Sequence, residues 1–256
     1  MNSYADIEES RNASQMSFFD HLRELRRRLI GSVIALGVGF IVGYALYDSY
    51  ISWLLRPILD MVPTGQDSKI FINDIQEGFT MKIRISVYAG LVVSLPVHLY
   101  NIVSFIMPAL LPKERRFLRA MLVGSVVLLI GGVYMGYDQV LPMSIKFLSS
   151  PAFLPDSVEP WLGFRNNVMF AMRLLFAFAI LFQTPLVLVL LMALNLVRRD
   201  QLLKSARYII VLIFVISAVV TPPDFVSQIG LSLPLIVLFY LSILVAKVCR
   251  FGEPER

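Results

Sequence analysis

Six stretches of this chain are dominated by apolar side chains, and they set the terms on which it can fold. They run over about 29–47, 85–107, 120–137, 174–197, 208–220 and 229–245. A backbone in lipid has to satisfy its own N–H and C=O groups, so only helices and closed barrels cross a bilayer. Most of the runs approach the ~20 residues a helix needs for a hydrocarbon core of about 30 Å. None alternates with period 2, which speaks against a barrel. Charged residues make up 16% of the chain, against about 25% in soluble domains, and mean hydropathy is +0.72. The predicted fold is an all-α membrane protein with six transmembrane helices, formed by residues 1–256 as one integral membrane domain.

Basic residues orient the spans. Sixteen of the 23 lysines and arginines lie before the first run, between the second and third, between the fourth and fifth, and after the sixth. That side is the expected cytoplasmic side, with both termini inside. This grouping between apolar runs is a topology signal and does not suggest nucleic-acid binding. Residues 1–15 are expected as a flexible cytoplasmic tail. The first run has no small-residue cleavage site after it and reads as a retained anchor. In the first outer loop, Tyr50, Trp53, Leu54, Pro57, Ile58 and Met61 recur at helical spacing, predicting an interfacial helix. The fifth run reaches only about 20 Å as a helix, and the loop after it is brief, so the last two runs form a short hairpin. No internal repeat is visible.

Familiar catalytic patterns are missing from the sequence. Its histidines, His21 and His98, lie in different regions, and there is no HExxH, GxSxG or Walker lysine loop. Asp138 and Asp224 fall at the ends of different runs, away from a buried dyad. Cys249 is the single cysteine, which excludes an intramolecular disulfide. No enzyme, metal site or cofactor is expected.

Two carboxylates are unusual. Glu24 in HLRELRRRL lies among Arg23, Arg26, Arg27 and Arg28, and Glu114 in PALLPKERRFLR lies among Lys113, Arg115, Arg116 and Arg119. Each has an ordinary explanation. Glu24 makes an i,i+4 pair with Arg28, worth a few tenths of a kcal/mol. Glu114 follows Pro112 in a first helical turn, where an acid is favoured. Together, on one face, they also suit a ligand with two guanidinium groups, each accepted by two hydrogen bonds. Gln183 in LFQTP is polar near the midplane, either in a helix–helix hydrogen bond or in a ligand contact, and Pro185 frees a carbonyl nearby. In VVTPPDFVSQ, Asp224 can cap the sixth helix with Ser227 close by, and Gln228 can meet another membrane helix.

With these motifs the chain resembles the TatC family, the multi-spanning subunit of the twin-arginine protein translocase. FFDHLRELRRRL, FIMPALLPKERR, LFQTP and VVTPPDFVSQ occur in the family's order over about residues 16–250. The resemblance implies a receptor and scaffold in the bacterial inner membrane that binds twin-arginine signal peptides of folded cargo, driven by the proton-motive force. It implies signal-peptide contacts at Glu24, Glu114, Arg26, Leu25 and Phe105. It implies docking of the single-span partners TatA and TatB at Thr221, Asp224 and Gln228, within a larger self-associated complex. Pro57, Pro96, Pro108 and Pro185 match structural positions of the family. Position 183 is often glutamate there; glutamine keeps the hydrogen bonds but carries no proton.

Two other readings differ in where polar groups should lie. A secondary transporter for a small solute or cation concentrates ionisable groups at the midplane, whereas here the distinctive acids lie at one rim. An assembly-only protein would tolerate any change at Glu24 and Glu114. The arginines around Glu24 are expected to repel peptides with too little charge-matching to displace them. Neutralising Arg23 and Arg27 should therefore increase cross-linking of single-arginine and lysine signals; unchanged selectivity would remove this role.

Overall fold

The computed structural model describes the backbone at 3–60, 71–106, 112–150, 163–221, 224–249 and 251, and side chains there except at 3–18, 106 and 112–119. Among the described residues there are ten α-helices: α1 (Ser3–Ala45), α2 (Tyr47–Leu59), α3 (Glu77–Ile106), α4 (Pro112–Met135), α5 (Leu141–Leu148), α6 (Phe164–Leu181), α7 (Thr184–Ala193), α8 (Arg199–Lys204), α9 (Ala206–Val220) and α10 (Phe225–Val248). A π turn, Gly136–Val140, joins α4 to α5.

Five stretches are long and apolar enough to cross a membrane: Phe19–Ala45, Glu77–Phe105, Ala120–Leu148, Phe164–Ala193 and Phe225–Val248. The sixth crossing is α9, with 15 residues. This is the all-helical, six-span architecture expected, with different boundaries. The second crossing begins at Glu77 and the fourth at Phe164, so Lys82, Arg84, Arg165 and Arg173 belong to helices and not to outer loops. Hydropathy stops at the first charge, while a helix continues because long basic side chains bend toward water. The helical backbone of α1 also takes in residues expected as a tail. The last hairpin is short on one limb only. Helix α9 spans about 22 Å and α10, with 24 residues, about 36 Å.

The first and second crossings run antiparallel and almost in backbone contact. A Cβ on Gly39 would lie 2.8 Å from the Gly90 carbonyl oxygen, and one on Gly90 would lie 2.7 Å from the Phe40 nitrogen. One turn on, Gly43 faces Ser86 and Ala89. Toward the other end, the Asn101 amide donates to Ser32 Oγ at 3.0 Å. Lipid is as apolar as leucine, so helices here gain from close packing and interhelical hydrogen bonds more than from leaving the solvent. Small residues permit the first and Asn101 supplies the second. The third and fourth crossings use the same device: Phe182 and Phe178 lie over Gly132 and Gly136, where a Cβ would meet ring carbons at 2.8 and 3.0 Å.

Helix α2 was expected at the interface; its Leu54 and Ile58 are buried in one cluster with Met81, Ile85 and Leu141, and Pro57 is buried beside them in the helix. Pro57 lacks an N–H, which leaves the Trp53 carbonyl without its helical donor. Tyr137, in the π turn, donates its hydroxyl to that oxygen at 2.6 Å and stacks on the Trp53 ring with centroids 3.5 Å apart. The proline, the π turn and the aromatic pair thus form one joint that clamps α2 across the bundle. Pro96 is also buried, inside α3, and Pro185 is buried at the start of α7. Pro108 lies outside the described residues.

Replacing Gly90 or Gly39 with alanine should force α1 and α3 apart and destabilise by about 1–3 kcal/mol, the usual scale of overpacking. Gly131→Ala should be neutral, because nothing lies within 4 Å of its added Cβ. Thermal unfolding in detergent measures both; equal midpoints would show that the contact relaxes freely.

Candidate functional site

One end of the α1–α3 pair gathers the charged and aromatic groups singled out by the sequence. Glu24 is half-buried on α1, and the Arg28 guanidinium lies 3.2 Å from its Oε1. Arg28 also sits over Tyr100, 6.0 Å from the ring centroid, and its Nε is buried without a hydrogen-bond partner among the described residues. One turn earlier, His21 stacks on Phe105 with centroids 4.5 Å apart. Leu25, Arg26 and Arg27 face outward from the same turns. Arg23 reaches Asp20 at 3.7 Å, both side chains largely exposed. Glu24 and Phe105 are therefore brought to one end, with Leu25 and Arg26 on the open side of α1.

The backbone of Glu114 is in the first turn of α4, which begins just after α3 ends and packs along it. Its side chain lies outside the described residues. The chemistry available at this end is guanidinium recognition by a carboxylate beside an aromatic surface. The carboxylate already holds one guanidinium, through a single close contact of the kind worth under about 1 kcal/mol when exposed.

Gln183 is buried where α6 breaks before α7. Ser125 of α4 donates its hydroxyl to Gln183 Oε1 at 2.7 Å, and Gln183 Nε2 donates to the Ser125 carbonyl at 3.2 Å. Of the two roles open from sequence, this geometry matches the helix–helix hydrogen bond. An amide suits the site because it offers an acceptor to the hydroxyl and a donor to the carbonyl; an ionised carboxylate offers only acceptors.

The α9–α10 corner is also polar. Asp224 is the buried N-cap of α10: its carboxylate accepts from the Ser227 N–H at 2.7 Å and from the Ser227 hydroxyl. Thr221 donates its hydroxyl to the Ser217 carbonyl at 2.8 Å. Ser232 donates to Ser217 Oγ at 3.0 Å. Gln228 Nε2 donates to the Phe214 carbonyl at 3.2 Å, and no described group donates to its Oε1. Thr221 and Asp224 are thus occupied within the hairpin, and Gln228 keeps an acceptor to offer.

Glu77 was not singled out from sequence. Its carboxylate accepts from the N–H groups of Asn73 at 2.8 Å, Asp74 at 3.3 Å and Arg165 at 2.8 Å. It closes the start of α3 and the start of α6 together, beside the Phe164 N–H bond to the Phe71 carbonyl. The local half was legible in Asp74-x-x-Glu77 before an apolar run, a capping-box spacing; the reach to Arg165, 88 residues on, was not. Among the described residues no group of histidine, cysteine and acids is placed to hold a metal ion.

Replacing Ser125 with alanine and Gln183 with leucine, singly and together, should give a coupling of about 0.6 kcal/mol, and at most about 1.7, in a double-mutant cycle on thermal stability. Strict additivity would mean the pair contributes nothing to holding α4 to α6.

Residues 20–234 match the family described as Sec-independent protein translocase protein (TatC). The chain is 31% identical to the Sec-independent protein translocase protein TatC of Carboxydothermus hydrogenoformans, over 93% of this chain and 96% of that protein. It is 34% identical to the TatC of Aquifex aeolicus, over 94% and 98%. A crystal structure of the twin-arginine translocase receptor TatC in DDM superposes with a TM-score of 0.77 at 33% identity, covering 91% of this chain and all of that one. The chain belongs to the TatC family, a family of multi-pass membrane proteins.

Proposed function

We propose, from this membership, that the chain is the receptor and core scaffold of a twin-arginine translocase, binding twin-arginine signal peptides through Glu24 and Glu114. The observation that carries the reading is the Glu24–Arg28 pair. A carboxylate one turn from the His21–Phe105 stack already holds a guanidinium by one contact, and Arg28 is an imperfect partner because its Nε has no bond among the described residues. An arriving arginine exchanges with Arg28 at little net cost, since one guanidinium replaces another. A second arginine takes Glu114 at the start of α4. His21 and Phe105 offer an aromatic surface for the flanking peptide, and Leu25 and Arg26 lie on its approach.

In this reading the Glu24 end is cytoplasmic in a bacterial inner membrane, as the lysine and arginine bias supports, and both termini lie inside. Partner subunits of the translocase dock at the α9–α10 corner. TatA and TatB, as single-span helices, meet Gln228 Oε1, to which no described group donates, with Thr221 and Asp224 holding the corner in shape. Glutamine at 183 assigns that residue to packing and not to proton uptake, so the proton-motive force acts elsewhere. Midplane transport of a small solute has less support: the polar residue at the midplane is already bonded on both sides of its amide.

The test is cross-linking of a twin-arginine signal peptide to the protein in membranes. Glu24→Ala and Glu114→Ala, at equal abundance, should each reduce the adduct about tenfold or more, given 1.5–3 kcal/mol for a charged hydrogen bond, and a twin-lysine peptide should fare no better. An undiminished adduct in both variants would assign the acids a structural role.

A further inference from the structure

At the end of the bundle opposite Glu24, three arginines from two helices line one cavity. Arg84 of α3 and Arg165 and Arg173 of α6 surround about 680 Å³, together with Asn166, Phe170 and Thr221 at the end of α9. None of the three guanidiniums makes an ion pair with a described carboxylate. Two described acids, Asp74 and Glu77, line an adjoining cavity of about 250 Å³ that shares Arg84 and Arg165. There Glu77 already accepts three backbone N–H groups, and Asp74 is a single exposed carboxylate. Among the described residues lining the two cavities, two acids face three arginines, and positive charge remains.

Its place along a crossing helix makes that charge unusual. Arg173 lies nine residues into α6, about 14 Å down the axis, beside Phe170 and within the crossing Phe164–Ala193. All three arginines are exposed, and a guanidinium within an apolar crossing draws an anion, water or a reach to the surface. The short helix α9 opens the space. It is about 8 Å shorter than a typical hydrocarbon core, and it stops at Val220, on the wall of this cavity. The leaflet around such an end sinks toward it.

We propose that this cavity binds a phosphate-bearing anion, and that in the membrane the anion is the headgroup of an acidic phospholipid in the leaflet opposite Glu24. Guanidinium forks match phosphate oxygens bidentately. The volume is that of a whole small-molecule site, within about 300–1,000 Å³, so a free phosphate ion leaves it mostly empty while a glycerophosphate headgroup with the first acyl carbons fills it. The polar wall of Arg84, Arg165, Asn166 and Thr221 suits the headgroup, and Phe170 the acyl start. Arg173 receives its counter-ion from the lipid.

Native mass spectrometry of the delipidated full chain, titrated with phosphatidylglycerol, tests this. Wild type should retain one lipid with a defined affinity. R84Q/R165Q/R173Q should bind about tenfold more weakly or worse, a loss of about 1.4 kcal/mol, while K146Q, on α5, should be unchanged. If the triple variant does not fold, R173Q alone is read the same way, with R173K restoring part of the affinity. Excess inorganic phosphate should not displace the lipid; if it does at millimolar level, the phosphate site stands and its ligand is a soluble phosphate. Equal lipid binding by wild type and the arginine variants, or by K146Q and R173Q, would overturn the proposal.

Discussion

The contact between Gly39 and Gly90 sets the geometry on which the rest of this bundle depends. Two backbones that approach to within a Cβ of each other admit one crossing point, because shifting either helix by one residue would drive a side chain into the facing backbone. With the crossing pinned, register propagates along both helices. It sets Asn101 against Ser32 in one direction and, beyond them, Phe105 against His21 and Tyr100 beside Arg28. The proposed receptor end is held in shape by a contact deep in the membrane.

A second theme is the use of proline with a compensating donor. In lipid, a carbonyl freed by proline finds no water. At Pro57 the answer is a tyrosine delivered by a π turn, which opens where Gly136 admits the Phe178 ring. Before Pro185 it is a helix break, with Gln183 turning its amide to Ser125. The polar residues of this membrane domain are mostly spoken for by its own irregularities. Those with bonding capacity left among the described residues, at Glu24, Gln228 and the arginine cavity, are where binding is proposed.

The two ends of the molecule treat charge differently. At the Glu24 end, a half-buried carboxylate lies among exposed arginines, and that is where a cationic ligand is proposed. At the opposite end, guanidiniums exceed carboxylates among the described residues around a cavity beside the shortest crossing. That cavity lies at the end of α9, a 15-residue crossing shorter than a hydrocarbon core of about 30 Å.

Much of this was legible in one dimension. The six crossings and their order follow from the number and spacing of apolar runs, because lipid leaves the backbone almost no alternative to helix. The Glu24–Arg28 pair and the Asp224–Ser227 cap were legible too, since both join residues within one turn of each other. The joining of Glu77 to Arg165, of Tyr137 to Trp53 and of Ser125 to Gln183 was not, because each spans more than fifty residues and depends on which helices become neighbours. The helix ends at Glu77 and Phe164 escaped for a related reason: hydropathy registers a charge as an end, and only packing shows that Arg84, Arg165 and Arg173 remain on helices and converge. Sequence by itself determined the number and order of the spans, the Asp224 cap and the acids at the rim, all local consequences of side-chain chemistry. The tertiary structure decided which helices touch, and with that which carbonyls find donors and which charges are left for a ligand.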